Sequence, residues 1–315
     1  MGDPKRTVSR SQWLRRLASR KRDKVAFVLS GGGPYGALQV GALRALIERG
    51  IQPDLVIGTS AGSMNATFVA FDPSIHGVDR LESIWRALED EDLFPGVRFK
   101  TSWARFMMKG NKVFDNVGMR RVIETRLGTA RFEDARVPLA VVATDLETGA
   151  EVLFSSGDLT DPLLASCAMP GIYPPVVIGA RTYIDGGVAN QVPIAPAIEL
   201  GASRIYVIDA SSGHQKPRPL LRPIDYLLHA FQLSRAQRVG LEMASYQQRA
   251  EVIVLPVPVV DFTIPFTSLA HTDTLIRLGY DNAAAFLDAS SPARAVAPIS
   301  PQSEPPVDPA SSSSL

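Results

Sequence analysis

The chain has 315 residues, 45% of them apolar, with 33 Lys or Arg against 32 Asp or Glu. That length is ample for a core in one large or two small domains, and a net charge of +1 gives no reason to expect a nucleic-acid partner. No apolar run reaches the roughly 18 residues of a membrane-spanning helix, the basic N-terminus lacks the apolar region of a secretory signal, and the single cysteine, Cys167, excludes an internal disulfide, so a cytoplasmic, at most membrane-peripheral, setting is expected.

Residues 1–24 carry nine Lys or Arg against Asp3 and Asp23. If residues 9–22 form a helix, Trp13, Leu14, Leu17 and Ala18 share one face among arginines. Two readings follow: a segment (residues 5–24) that rests on an anionic membrane surface, or a solvated basic arm covering residues 1–23.

Next comes the stretch around which the chain is organised. The apolar run Val25–Leu29 enters Gly31-Gly32-Gly33 and a helical pattern, and a second run, Leu55–Ile57, ends in Gly58-Thr59-Ser60-Ala61-Gly62 before a helix from Ala61 to Ala70. Each run reads as a buried strand leading through a sharp turn into a helix, the way an α/β sheet presents chemistry at the carboxyl ends of its strands. A serine in G-x-S-x-G needs glycines two residues to either side, because its backbone is strained and its hydroxyl must stand clear of neighbouring Cβ atoms. Ser60 then meets the positive end of a helix. Gly31, Gly32 and Gly33 can bring bare amides to a developing oxyanion. Two other readings compete: Ser60 as a plain helix N-cap, and Gly31-x-Gly33-x-x-Gly36 as a dinucleotide fingerprint. The fingerprint expects an acidic residue at the end of the next strand, where this chain has Gly58-Thr59-Ser60 with Asp54 ahead of the strand.

Beyond Asp72-Pro73, His76–Leu88 has amphipathic helical spacing. Residues 92–114 are irregular and rich in large apolar side chains, including Leu93, Phe94, Trp103 and Phe106. They suggest a cap lining an acyl-chain pocket or, equally, packing over a sheet edge. Val117–Leu127 reads as a helix, Leu139–Thr144 as a strand covered on both faces, Glu151–Phe154 as a shorter strand, and Leu163–Met169 as a helix holding Cys167 as a small core residue. Asp185 leaves a short strand into Gly186-Gly187. Strand Arg204–Asp209, a long helix over Ile224–Arg249, strand Val252–Leu255 and helix Thr272–Leu287 complete the domain. Residues 289–315, with eight serines and six prolines, read as a disordered tail.

Taken together, G-G-G-x-x-G (Gly31–Gly36), G-T-S-A-G-S (Gly58–Ser63), A-S-x-A-x-P (Ala165–Pro170), P-P-V (Pro174–Val176) and D-G-G-x-x-N-x-x-P (Asp185–Pro193) resemble the patatin-like phospholipases over residues 24–288. The resemblance implies a three-layer α/β/α fold with a mostly parallel central sheet. It implies an acyl hydrolase acting on lipid or other carboxylic esters, with Ser60 as nucleophile, Asp185 as acid/base, and Gly31, Gly32 and Gly33 as the oxyanion hole. Tyr35, Gly36, Ala61, Trp103 and Phe106 are the expected substrate contacts. The family usually has Arg or Lys where this chain has Tyr35, and Pro34 removes one backbone donor. Weaker action on phospholipids than on neutral esters or lysophospholipids is therefore expected.

A carboxylate within reach of a serine can take its proton without a histidine. The competing arrangement, a Ser-His-Asp triad, would need His76, His214, His229 or His271, none in a sequence context resembling a catalytic loop. A lipid-binding or regulatory protein of weak activity is the alternative in another class. No ligand cluster suggests a metal, so no cofactor and calcium-independent activity are expected.

Overall fold

The computed structural model describes residues 23–95, 114–210, 243–258 and 264–290, with a few further positions between 226 and 260. One sheet of eight strands runs through it: β1 (Val25–Leu29), β2 (Leu55–Thr59), β3 (Leu139–Asp145), β4 (Glu151–Phe154), β5 (Val176–Ile178), β6 (Arg181–Asp185), β7 (Arg204–Ile208) and β8 (Glu251–Val254). The order is β5-β6-β3-β2-β1-β7-β8, with β4 also on β3. β3, β2, β1, β7 and β8 are parallel neighbours, whereas β4 and β6 run against β3 and β5 runs against β6. Helices among the described residues are α1 (Gly36–Glu48), α2 (Ala61–Phe71), α3 (Ile75–Ala87), α4 (Asp90–Leu93), α5 (Val117–Leu127), α6 (Thr160–Ser166), α7 (Ile194–Glu199) and α8 (Thr272–Ala289).

Burial on both faces explains why β1 and β3 carry unbroken apolar runs. Phe27 and Leu29 enter one core with Leu43, Leu46 and Leu81, while Ala26 and Val28 enter a second with Ile194, Ala197 and Tyr246. This alternation, helices on each face of one sheet, is the three-layer α/β/α arrangement. Each fully buried Leu, Ile or Phe contributes on the order of 1.5–3 kcal/mol. α1 and α8 cross backbone to backbone: a Cβ on Gly41 would lie 2.0 Å from Ile276 O, and one on Gly279 would lie 2.0 Å from Leu38 O.

The register on β3 positions the site. β2 pairs with Leu139–Val142, β6 pairs with Ala143–Asp145, and β4 pairs with Val141–Thr144. Since β4 overlaps both of the others and a strand has two edges, β2 and β6 must lie on the same edge of β3 and meet end to end. Thr59 partners Val142 and Asp185 partners Ala143, so the strand that leads into Ser60 and the strand that delivers Asp185 abut. Strand antiparallelism at this edge was not readable from the apolar runs.

Boundaries shift in explicable ways. β2 continues past Ile57 because Gly58 and Thr59 still pair with their neighbours. α6 spans Thr160–Ser166 rather than Leu163–Met169: Pro162 fits a first turn, and Ala168 O is taken by the Asp185 amide at 2.9 Å. Most of the expected helix over Ile224–Arg249 lies outside the described residues, with 243–247 helical. The basic arm up to residue 22, most of the expected cap (96–113) and the tail from 291 also lie outside them. No helix among the described residues is long and apolar enough to cross a membrane.

Candidate active site

Ser60 has φ 53° and ψ −128°, and it is the sole non-glycine residue with positive φ among the described residues. Such a conformation costs about 1–3 kcal/mol and persists only when its surroundings over-determine it. Here the Ser60 amide donates to Ser166 Oγ at 2.9 Å, while its carbonyl accepts from Ser63 Oγ at 2.6 Å and from the Ser63 amide at 2.8 Å. The flanking glycines are needed for contact as well as for torsion. A Cβ on Gly58 would sit 2.3 Å from Gly62 O, and one on Gly62 would sit 2.4 Å from Ser30 O.

Asp185 ends β6 with 6% of its surface exposed. Its carboxylate Oδ1 accepts from the Gly187 amide at 2.7 Å, and its carbonyl accepts from Thr144 Oγ1 at 2.9 Å. The turn that follows is fixed on two sides: Thr59 Oγ1 donates to Asn190 O at 3.1 Å, and Asn190 Nδ2 donates to Glu151 Oε2 at 3.1 Å.

The Ala165–Pro170 stretch brackets both residues. Ser166 receives the Ser60 amide and Ala168 receives the Asp185 amide. Between them the Cys167 thiol is pushed up strongly, first by burial and then by the Asp185 carboxylate, with hydrogen bonds to Ser63 and Ser60 pulling the other way. Cys167 is buried, as expected of a small core residue, and it also lines the cavity described below.

The glycine loop lies against Ser60: a Cβ on Gly31 would be 3.0 Å from Ser60 Cβ. Its three amides differ. That of Gly31 donates to Gln191 O at 3.3 Å, whereas those of Gly32 and Gly33 have no such partner among the described residues. Behind the loop a buried chain of polar groups runs from the cavity wall to the strand ends. Trp85 Nε1 donates to Asn65 Oδ1 at 2.7 Å and Asn65 Nδ2 to Gln39 Oε1 at 2.8 Å. Gln39 Nε2 in turn donates to Ser30 O at 2.8 Å and to Ile208 O at 3.0 Å. A fully satisfied network of this kind rigidifies what it touches. Gln39, Asn65 and Gln191 carried no sequence signal, because a lone amide in a helix or loop has no periodicity to betray it.

Ser60 and Asp185 line one cavity together with Gly33, Pro34, Ala61 and Cys167. Apart from Asn65 the rest of its wall is mostly apolar, from Met64 and Phe68 of α2, Leu81, Ile84 and Trp85 of α3, and Met119 of α5. Phe94, Tyr173 and Phe266 close one side: Phe94 stacks on Tyr173 with centroids 6.0 Å apart and meets Phe266 edge-on at 5.7 Å. Tyr173 Oη donates to Leu93 O at 2.6 Å, and burial raises its phenol above the ordinary range. Both described ends of the 92–114 segment, Leu93–Phe94 and Phe114, are thus anchored at the cavity or beside it.

Other expected contacts fall elsewhere. Tyr35 is 6% exposed and outside the cavity wall, because the short helical turn Gly33–Tyr35 rotates it into the core. Gly36 packs behind the wall, where a Cβ would lie 2.9 Å from the Trp85 ring and 3.0 Å from Ala61 Cβ. Trp103 and Phe106 lie outside the described residues, as do His214 and His229. His76 is exposed, His271 precedes α8, and neither lines the cavity.

Residues 27–198, more than half of the chain, match the family model for patatin-like phospholipases. An uncharacterised NTE family protein of Mycobacterium tuberculosis is 26% identical over 204 residues, covering 64% of this chain and 53% of that protein. Lysophospholipase NTE1 of Phaeosphaeria nodorum is 30% identical over 206 residues, covering 62% of this chain and 13% of that one. The chain thus spans about half the length of its mycobacterial relative and a small part of the fungal one. Human GIVD cytosolic phospholipase A2 aligns in space over 89% of this chain and 62% of its own, with a TM-score of 0.50 at 12% identity, a likeness of fold. With the family's sequence stretch running from β1 through α7 and its glycine loop and serine turn in place, the chain belongs to the patatin-like phospholipase family.

Proposed function

We propose that this protein is a serine-dependent carboxylic ester hydrolase whose substrates are lipid acyl esters, with Ser60 as nucleophile and Asp185 as the proton carrier. The observation that carries the reading is the strained Ser60 turn, set against a glycine loop and opening into an apolar cavity that Asp185 also lines. Strain of this kind at a partly exposed hydroxyl is expected of a site held ready for reaction. An acyl chain suits the apolar wall, and a relative named as a lysophospholipase supports the lipid class.

In the proposed reaction Ser60 Oγ adds to the ester carbonyl carbon while Asp185 takes the hydroxyl proton. The oxyanion is received by backbone amides of the glycine loop, Gly32 and Gly33 being those without a backbone acceptor among the described residues. Collapse expels the alcohol, which leaves with the proton from Asp185 and gives an ester at Ser60. Water then gives its proton to Asp185 and adds to that ester; the fatty acid departs and the proton returns to Ser60.

The test is release of p-nitrophenol from short- and long-chain esters, with stoichiometric labelling of Ser60 by a fluorophosphonate. Burst release, with both signals lost in Ser60→Ala, is expected. Silence in both assays alongside tight fatty-acid binding would instead favour a lipid-binding protein, the reading that Tyr35 in place of a cation keeps in view.

A further inference from the structure

We propose that Gln191 is the positioning residue of the glycine loop, an inference that rests on the ester-hydrolase reading above. Gln191 grips Gly31 twice: its carbonyl accepts the Gly31 amide at 3.3 Å, and its side-chain Nε2 donates to Gly31 O. The grip is close, since a Cβ on Gly31 would come within 3.1 Å of both polar atoms of the Gln191 amide. The side chain is also buried, with Gln191 6% exposed.

The consequence follows from peptide geometry. Gly31 C=O and Gly32 N–H belong to one planar trans unit and point in opposite directions. Holding the carbonyl toward Gln191 therefore aims the Gly32 amide away from it. Consecutive glycines make rotation of that plane cheap, and a rotated plane would present a carbonyl oxygen where a donor is needed. Gln191 opposes that rotation, with Ser30 Oγ as a second group on the same oxygen at 3.1 Å. It also withdraws the Gly31 amide from the reaction, which assigns the oxyanion to Gly32 and Gly33 instead of all three glycines.

Gln191 leaves the same turn that begins at Asp185, and Asn190 beside it is tied to Thr59 and Glu151. One loop thus carries the acid and sets the donors. A 1 Å misplacement of such groups can cost about 100-fold in rate.

The experiment compares wild type with Gln191→Met and Gln191→Glu in ester turnover, fluorophosphonate labelling and thermal melting. Gln191→Met is expected to lower kcat by roughly 10- to 100-fold with KM within about threefold, and to slow labelling of Ser60 by a similar factor. Little change in melting is expected, because the Asn190 bonds remain. Gln191→Glu is impaired at neutral pH, where a carboxylate cannot donate to Gly31 O. Its kcat relative to wild type should recover as the pH falls and the carboxyl protonates. An unimpaired Gln191→Met beside an active, labelled wild type overturns this inference alone. So does a loss that appears in KM and melting and shows no recovery in acid. A wild type that neither turns over esters nor labels at Ser60 overturns the reading of the site, and this inference with it.

Discussion

Ser30 and Ser60 each stand one residue beyond the end of a parallel strand, β1 and β2, and each has an aspartate at hand. Ser30 is fully buried; its hydroxyl donates to Asp209 Oδ1 at 2.7 Å and accepts from the Ala210 amide at 2.7 Å. Ser60 is partly exposed, has positive φ, and opens with Asp185 into an apolar cavity beside amides that have no backbone acceptor among the described residues. A serine hydrogen-bonded to an aspartate is therefore no sign of reactivity by itself. What separates the two is access, backbone strain and the donors next door: Ser30 has its bonds filled by the fold, while Ser60 has the setting that the proposed reaction requires.

The largest effect expected is at the proposed nucleophile. Ser60→Ala should lower ester turnover by on the order of 10⁴-fold or more with melting hardly changed, whereas Ser30→Ala should keep turnover within about 100-fold and lose about 1–3 kcal/mol of stability. Equal losses of turnover in the two variants would erase the distinction. At the acids, Asp185→Asn should cost on the order of 10³-fold in kcat or more, and Asp209→Asn far less; steady-state kinetics of both variants decides. Gly62→Ala addresses the strain, since its Cβ would press on Ser30 O at 2.4 Å and Leu29 O at 2.5 Å. A loss of about 1–3 kcal/mol in denaturant unfolding is expected, and a stable, fully active variant would mean that the turn relaxes without harm.

The smallest effect concerns a third aspartate, Asp145 at the end of β3. The Arg181 guanidinium 2.7 Å away, then the Thr148 amide, hold its carboxyl well below the ordinary 3.8, at about 2. A folded-state pKa below the unfolded one stabilises the native state above pH 3.8, and that contribution disappears as the pH falls through about 2. Arg181→Met should therefore move acid unfolding to higher pH, read by circular dichroism along a pH series. Neutral ester turnover should stay within about twofold, the salt bridge being at an exposed arginine.

Much of this was legible in the residues. β1 and β2 announce themselves as apolar runs that stop at glycines, and the glycines around Ser60 reveal a turn that tolerates no Cβ. The unforeseen parts depend on pairings far apart in sequence. Nothing in Tyr183-Ile184-Asp185 says that its strand runs against β3. Gln191 and Asn65 are single amides whose meaning exists only once the fold brings carbonyls to them. Tyr35 and Gly36 were expected to touch substrate because the loop motif contains them, but the Gly33–Tyr35 turn rotates both behind the wall.

The abutment of β2 and β6 along one edge of β3 makes that strand a ruler. A one-residue slip of β6 would carry Asp185 about 3.3 Å along the ruler and turn its side chain through to the opposite layer. Hydrolytic competence would then vanish from a molecule of nearly unchanged helix content. Regain of fluorophosphonate labelling during renaturation should accordingly trail the return of the far-ultraviolet signal, making the reagent a stopwatch for sheet completion.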